Sequence, residues 1–346
     1  MGRRAGKGPV WLTVCKALYW VLFAVSAVVV GLYLAFVWVV RPPEMSQPTP
    51  PVVVVQPTDD PSTPTDESQG EPTTAPADQG PQRKEDTHTF LLLGMDDGNG
   101  NTDTIMVVTY DVKNQHVGVV SVPRDTLMDV SRTVKKINAA YAEGGIEEVQ
   151  KEVSELLGFP VDHYIRINLR GFQALVDQLG GVDFYVPIDM HYDDPTQDLH
   201  IHLNQGMQHL DGAKALQLAR FRSGYANADI GRIETQQKLL SALAKKLLSW
   251  GNVTQINNFV EIFAKYVKTD LTVGNLAYFG MAALELDMEN GVSLGTLPGD
   301  GLVTYKGIPY YYELFPEETV TMVNETGLNP YTEPITREQM NIFQVP

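Results

Sequence analysis

Apolar positions along this chain fall into three regimes. Ala17 to Val40 is a continuous apolar run whose only ionisable side chains are Tyr19 and Tyr33. As a helix its 24 residues reach about 36 Å, enough to cross a hydrocarbon layer of about 30 Å. The spacing predicts a transmembrane helix over 17–40. Residues 41–86 are dominated by Pro, Thr, Gln, Asp and Glu, with little to bury beyond Val52 to Val55, which predicts a disordered, partly extended linker. From residue 87 to 346 apolar residues recur with strand and helix periods, long enough for one large single-core domain.

Within that domain, Thr89 to Leu93, Thr104 to Tyr110 and Val117 to Val122 read as neighbouring strands. Ile146, Val149, Val153, Leu156 and Leu157 carry helical spacing that ends at Gly158. His163 to Ile167 is extended, Arg170 to Leu179 helical, and Val182 to Val186 extended again, an alternation that argues for an α/β fold. A helix from about Ile230 to Trp250, with Asp229 as its N-cap, turns Ile233, Leu240, Leu243 and Leu247 inward. A further helix covers Val273 to Leu286.

Charge orients this arrangement. Residues 1–16 form a short basic stub bearing Arg3, Arg4, Lys7 and Lys16, so the N-terminus is expected in the cytoplasm and the domain on the extracellular side of a single-pass anchor. A secretory signal competes, but signal cores run about 7–15 residues and end at a small-residue cleavage site, unlike this longer run. The single Cys15 at the span's cytoplasmic edge offers the outer domain no disulfide, and reads as a passive thiol or a lipidation site. A net charge of −16 gives no electrostatic footprint for nucleic acid.

Candidate chemistry sits in three segments. Gly94 to Asp103 is a glycine-rich loop with carboxylates at Asp96, Asp97 and Asp103, either a polar hairpin loop or a hard-oxygen site for Mg²⁺ or Ca²⁺. Arg220 and Arg222, if extended, share one face, while Arg232 and Gln236 are neighbours on a helix face. Guanidinium forks match phosphate oxygens, so this set suits a pyrophosphate; a surface ion-pair set with Asp229 and Glu234 is the bland alternative. Arg124 adds a fourth cation, and Asp125 either orients it or acts on a proton. His200 and His202 alternate with apolar residues, but lacking a Cys or a third ligand of fitting spacing they read as a wet strand face. G-x-S-x-G, P-loop and H-E-x-x-H signatures are absent.

Several motifs together resemble one family. Ser121-Val122-Pro123-Arg124-Asp125-Thr126, Lys136-Ile137-Asn138-Ala139-Ala140-Tyr141, Gly144-Gly145, Gly171-Phe172 through Leu179-Gly180-Gly181 to Val182-Asp183, and Arg220-Phe221-Arg222 through Gln237 are similar in order and spacing to the LytR-CpsA-Psr cell-wall enzymes. The likeness is close over residues 89–244, and the stub, span and linker fit it too. It implies a single α-β-α sandwich domain that takes a polyprenyl-pyrophosphate-linked glycan and transfers its sugar-phosphate end to a peptidoglycan hydroxyl, assisted by Mg²⁺, as in ligation of teichoic acid or capsule. Carried over residue by residue, Asp96 and Asp103 would face the metal. Arg124, Arg220, Arg222 and Arg232 would hold the pyrophosphate with Gln236 nearby, and Asp103 is the candidate base; Asp103, Arg124 and Asp125 form the expected catalytic set. Many relatives carry an arginine where this chain has Asn101. The prenyl chain needs an apolar slot, for which the helix faces at Phe172 to Leu179 and Leu239 to Leu248 are candidates, although such faces are more often plain core. A non-catalytic lipid-pyrophosphate-binding regulator of the attenuator type, or a pyrophosphatase using water as acceptor, would use the same site.

Overall fold

A computed structural model of the protein describes residues 39–45, 80–95, 102–196, 199–225, 229–248 and 265–345. The stub, all of the expected span except Val39 and Val40, and most of the linker lie outside these residues. Among the described residues no helix is long and apolar enough to cross a membrane.

A six-stranded mixed sheet forms the centre, in the order β10 (Val292–Thr296), β3 (His116–Ser121), β2 (Thr102–Asp111), β1 (Thr87–Met95), β4 (His163–Asn168), β9 (Val267–Thr269). β1 pairs antiparallel with β2 and parallel with β4, so the first strand occupies the interior of the sheet. Three two-stranded ribbons surround it: β5 (Val182–Val186) with β8 (Gly206–Leu210), β6 (Met190–Asp194) with β7 (Leu199–Leu203), and β11 (Gly299–Tyr305) with β12 (Ile308–Leu314). The expected strand at Val182 to Val186 is therefore present but joins a ribbon instead of the central sheet.

The helices are α1 (Ala140–Leu157), α2 (Leu169–Gln178), α3 (Gly212–Arg220), α4 (Asp229–Leu247), α5 (Val273–Ala283) and α6 (Pro316–Glu325). α1 ends where Gly158 takes φ 77°, a left-handed cap that an L side chain resists. Asn168 caps α2 by accepting from the Gly171 N–H at 2.8 Å, and Asp211 caps α3 by accepting from the Lys214 N–H at 2.8 Å. The chain divides into two compact units, Met45–Asp270 with Ala282–Pro346, and Met1–Glu44 with Leu271–Met281. In the smaller unit Asn275 accepts from the Thr272 N–H at 2.9 Å and donates to the Arg41 carbonyl at 2.9 Å.

The larger unit has two cores, one against a face of the central sheet and one between helices and ribbons. On one face Leu91, Leu93, Ile105 and Val107 pack with Val149, Val153, Leu156 and Leu157 of α1 and Val323 of α6. The second core joins α2, α3 and α4 to the ribbons through Val176, Leu218, Leu239, Val186, Met190 and Ile201. Gln82 to Arg83, at the end of the stretch read as linker, docks on the larger unit: Arg83 pairs with fully buried Asp162, and the Gln82 carbonyl accepts from the Thr332 N–H at 2.9 Å.

Candidate active site

Between the other face of the sheet and helices α2 to α4 lies a cavity of about 900 Å³. Leu92 and Met106 come from the sheet, Phe172 and Leu175 from α2 with Leu179 at its C-cap, and Leu239, Leu240, Leu243 and Leu247 from α4. The two helix faces singled out as slot candidates thus line a hollow, while Leu179, Leu239 and Leu243 also contribute to the second core. Tyr192 and Leu199 of the β6–β7 ribbon complete the apolar wall.

One end of this cavity is cationic. Asp103, Arg124, Arg220, Arg222, Arg232 and Gln236 all line it, so six expected site residues from four separate segments converge. Asp103, near the start of β2, accepts at Oδ1 from Arg124 at 2.7 Å and from Arg222 at 3.2 Å. With 37 % of its side chain exposed, it remains open to a ligand. Charge-assisted pairs of this kind hold guanidinium groups in register before an anion arrives.

Local structure explains each placement. A tight turn fixes Arg124: the Thr126 N–H donates to the Pro123 carbonyl at 3.0 Å, and the Arg124 carbonyl accepts from the Asn138 N–H at 3.0 Å. Arg220 closes α3, where a cation meets the negative end of the helix dipole. Phe221 then turns extended (φ −67°, ψ 128°) and buries its ring in the second core, which leaves Arg220 and Arg222 on the cavity side. The expected common face is therefore real, but it comes from a helix end and one extended residue instead of a strand.

Arg232 is 2 % exposed, one turn before Gln236 on α4. Gln236 donates to the Ala219 carbonyl at 2.8 Å, tying α4 to α3. Buried Gln237 donates to Ser121 Oγ at 2.9 Å and anchors the same helix to the sheet. Nearby, burial pushes the Tyr225 phenol up against the lowering influence of its Thr235 hydrogen bond and the Arg232 charge, so it is a neutral donor to Thr235 Oγ1 at 3.1 Å.

Asp125 lies beside the turn, with Oδ2 3.6 Å from Arg124 Nε and Oδ1 3.0 Å from Lys136 Nζ. These contacts place the Asp125 carboxylate between two cations. Lys136 is the second cation on Asp125, a pairing across eleven residues that spacing alone does not signal. Asp96 and Asn101 lie outside the described residues, as does the loop between them.

A largely apolar cavity lined also by four arginines and a carboxylate gives this α/β domain a site suited to a ligand with an apolar part and an anionic part. The chain belongs to the LytR_cpsA_psr family, which it matches over residues 55–327. It is 36 % identical over 234 residues to the polyisoprenyl-teichoic acid–peptidoglycan teichoic acid transferase TagU of Bacillus cereus (strain AH820), covering 66 % of this chain and 75 % of that protein. The solved structure of B. subtilis TagV is similar with a TM-score of 0.61 and 25 % identity, over 75 % of this chain and 100 % of that one. A transcriptional regulator from Enterococcus faecalis matches with a TM-score of 0.59 and 29 % identity, over 71 % of this chain and 89 % of that one.

Proposed function

We propose that this chain, an enzyme of a transferase family, is a membrane-anchored phosphotransferase that moves a glycan-phosphate from a polyprenyl-pyrophosphate carrier to a peptidoglycan hydroxyl at the outer face of the cell membrane. The observation that carries this reading is the continuity of the apolar cavity with its arginine end. An apolar lining and a cluster of arginines in one cavity match a ligand that joins an apolar chain to an anion.

The pyrophosphate lies among Arg124, Arg220, Arg222 and Arg232, while the prenyl chain fills the space between α2 and α4. The acceptor oxygen attacks the phosphorus bonded to the glycan. The bond from that phosphorus to the bridging oxygen breaks, and its electron pair leaves on polyprenyl phosphate. Arginine donors neutralise charge on the transferred phosphoryl and on the leaving phosphate, the main contribution a protein makes to such a reaction. Asp103 faces the same end of the cavity and is the candidate base for the hydroxyl proton. Asp125 positions Arg124.

The residues fit Mg²⁺. Asp103 presents a partly exposed carboxylate among cations that would gather phosphate oxygens, and Mg²⁺ usually takes one or two carboxylates with phosphates and water as its other ligands. Asp103, joined by Asp96, would hold the ion, which would supply further charge neutralisation on the pyrophosphate. The test incubates full-length protein with a short-chain prenyl-pyrophosphate sugar, Mg²⁺ and peptidoglycan fragments. Glycan-phosphate on the acceptor, lost in Asp103→Ala, supports transfer. Free glycan-phosphate points to hydrolysis, and binding without turnover refutes transfer from that donor.

A further inference from the structure

The β6–β7 ribbon carries a polar face that the transfer reaction does not use. Its register sets Asp193 opposite His200 and His191 opposite His202, and alternation along each strand puts all four side chains on one face. Met190, Ile201 and Leu203 bury the reverse face, so the polar quartet cannot turn inward. Asp193 Oδ1 is 2.6 Å from His200 Nδ1 and 3.2 Å from His202 Nε2. The possible ligand atoms of Asp193, His200 and His202 all lie within 4.8 Å of one another, and the His191 ring centroid is 6.0 Å from that of His202. The third ligand that spacing alone did not offer comes from the neighbouring strand.

We propose that this face binds a borderline divalent cation of the Zn²⁺ class, with Asp193, His200 and His202 as ligands and His191 beside the fourth position. Zn²⁺ takes imidazole nitrogens at about 2.0–2.1 Å and carboxylate oxygens at about 2.0–2.2 Å, so modest rotations of exposed side chains bring all three to one ion. Two imidazoles and one carboxylate favour Zn²⁺, Ni²⁺ or Cu²⁺ over Mg²⁺, which prefers oxygen. The scaffold is well held: the His202 N–H donates to Gln217 Oε1 of α3 at 3.1 Å. A cation here bridges two strands whose reverse side supplies Tyr192 and Leu199 to the cavity wall.

The test is calorimetric titration of untagged full-length protein with Zn²⁺, followed by the visible spectrum of the Co²⁺-loaded protein. We expect a saturable site that loses at least tenfold affinity in His200→Ala with His202→Ala and keeps its affinity in His209→Ala, an exposed histidine of β8 outside the cluster. Tetrahedral Co²⁺ bands should appear in the wild type and vanish in the double variant. Melting curves in chelator should coincide for wild type and double variant, which separates ligand loss from misfolding. Absence of saturable Zn²⁺ binding, undiminished affinity in the double variant, or an equal loss of affinity in His209→Ala would each overturn the assignment.

Discussion

The two faces of the central sheet are built from similar residues and end in opposite conditions. On one, Leu91, Leu93, Ile105 and Val107 meet α1 and α6 in a filled core; on the other, Leu92 and Met106 face a hollow of about 900 Å³. The hollow face is not short of apolar side chains, since α2 and α4 bring eight to it, Ala244 included. It is held open because α4 is fastened at a distance, by Gln237 to the sheet and by Gln236 to α3. Apolar composition therefore does not distinguish core from binding site. The polar contacts that set the spacing of the layers do.

The sharpest break of this comparison is in stability. Leu156→Ala on the filled face, where Leu156 is fully buried, should cost about 3–5 kcal/mol, read by denaturant unfolding. Next comes chemistry: Arg232→Ala on the hollow side should lower transfer about 10²-fold, roughly 3 kcal/mol of transition-state stabilisation, measured as kcat/KM with the short-chain donor. Leu240→Ala should cost under about 1 kcal/mol, because it enlarges space that is already hollow, while weakening binding of long-chain donors. A stability loss equal to that of Leu156→Ala would mean that the hollow is a packed core.

A smaller effect concerns the far end of the hollow face. By alternation His88 shares that face with Leu92, yet it is buried, and burial lowers its pKa against the opposing hydrogen bond to Asp86. A histidine whose folded pKa is depressed resists a proton that the unfolded chain accepts at about pH 6.5. Its contribution is intact above that pH and declines as pH falls toward the folded value. Thermal melts between about pH 8 and pH 5 should show a decline in Tm that is shallower in His88→Gln.

Much of this was legible in the sequence, for identifiable reasons. β1 to β4, α1, α2 and α4 follow strong periodicity. β1, β2 and β4 extend up to two residues beyond the expected limits, β3 and α2 are offset by one residue, α1 starts six residues earlier at Ala140, and α4 runs from Asp229 to Leu247. The arginines converge as expected because the motifs that carry them sit at strand and helix ends, where side chains reach a common space. α3 was missed: Arg220-Phe221-Arg222 reads as alternation, whereas Asp211 caps a helix of good formers that runs up to Arg220. Cross-strand neighbours were also hidden, which is why Asp193 beside His200 and Lys136 beside Asp125 appear only in three dimensions. Whether the leucines of α2 and α4 enclose a core or a cavity could not be read either, because the same spacing serves both.

The most direct measurement compares the affinities of inorganic pyrophosphate and a prenyl pyrophosphate for the full-length protein and for Leu240→Trp, which puts a larger side chain into the apolar part of the cavity. The account predicts that the wild type binds the lipid form at least tenfold more tightly, as expected when several methylenes are buried at about 0.8 kcal/mol each. Leu240→Trp should reduce that difference more than it changes the affinity for inorganic pyrophosphate. Equal affinities in the wild type, or an unchanged lipid preference in Leu240→Trp, would contradict the assignment of the hollow face as the lipid site.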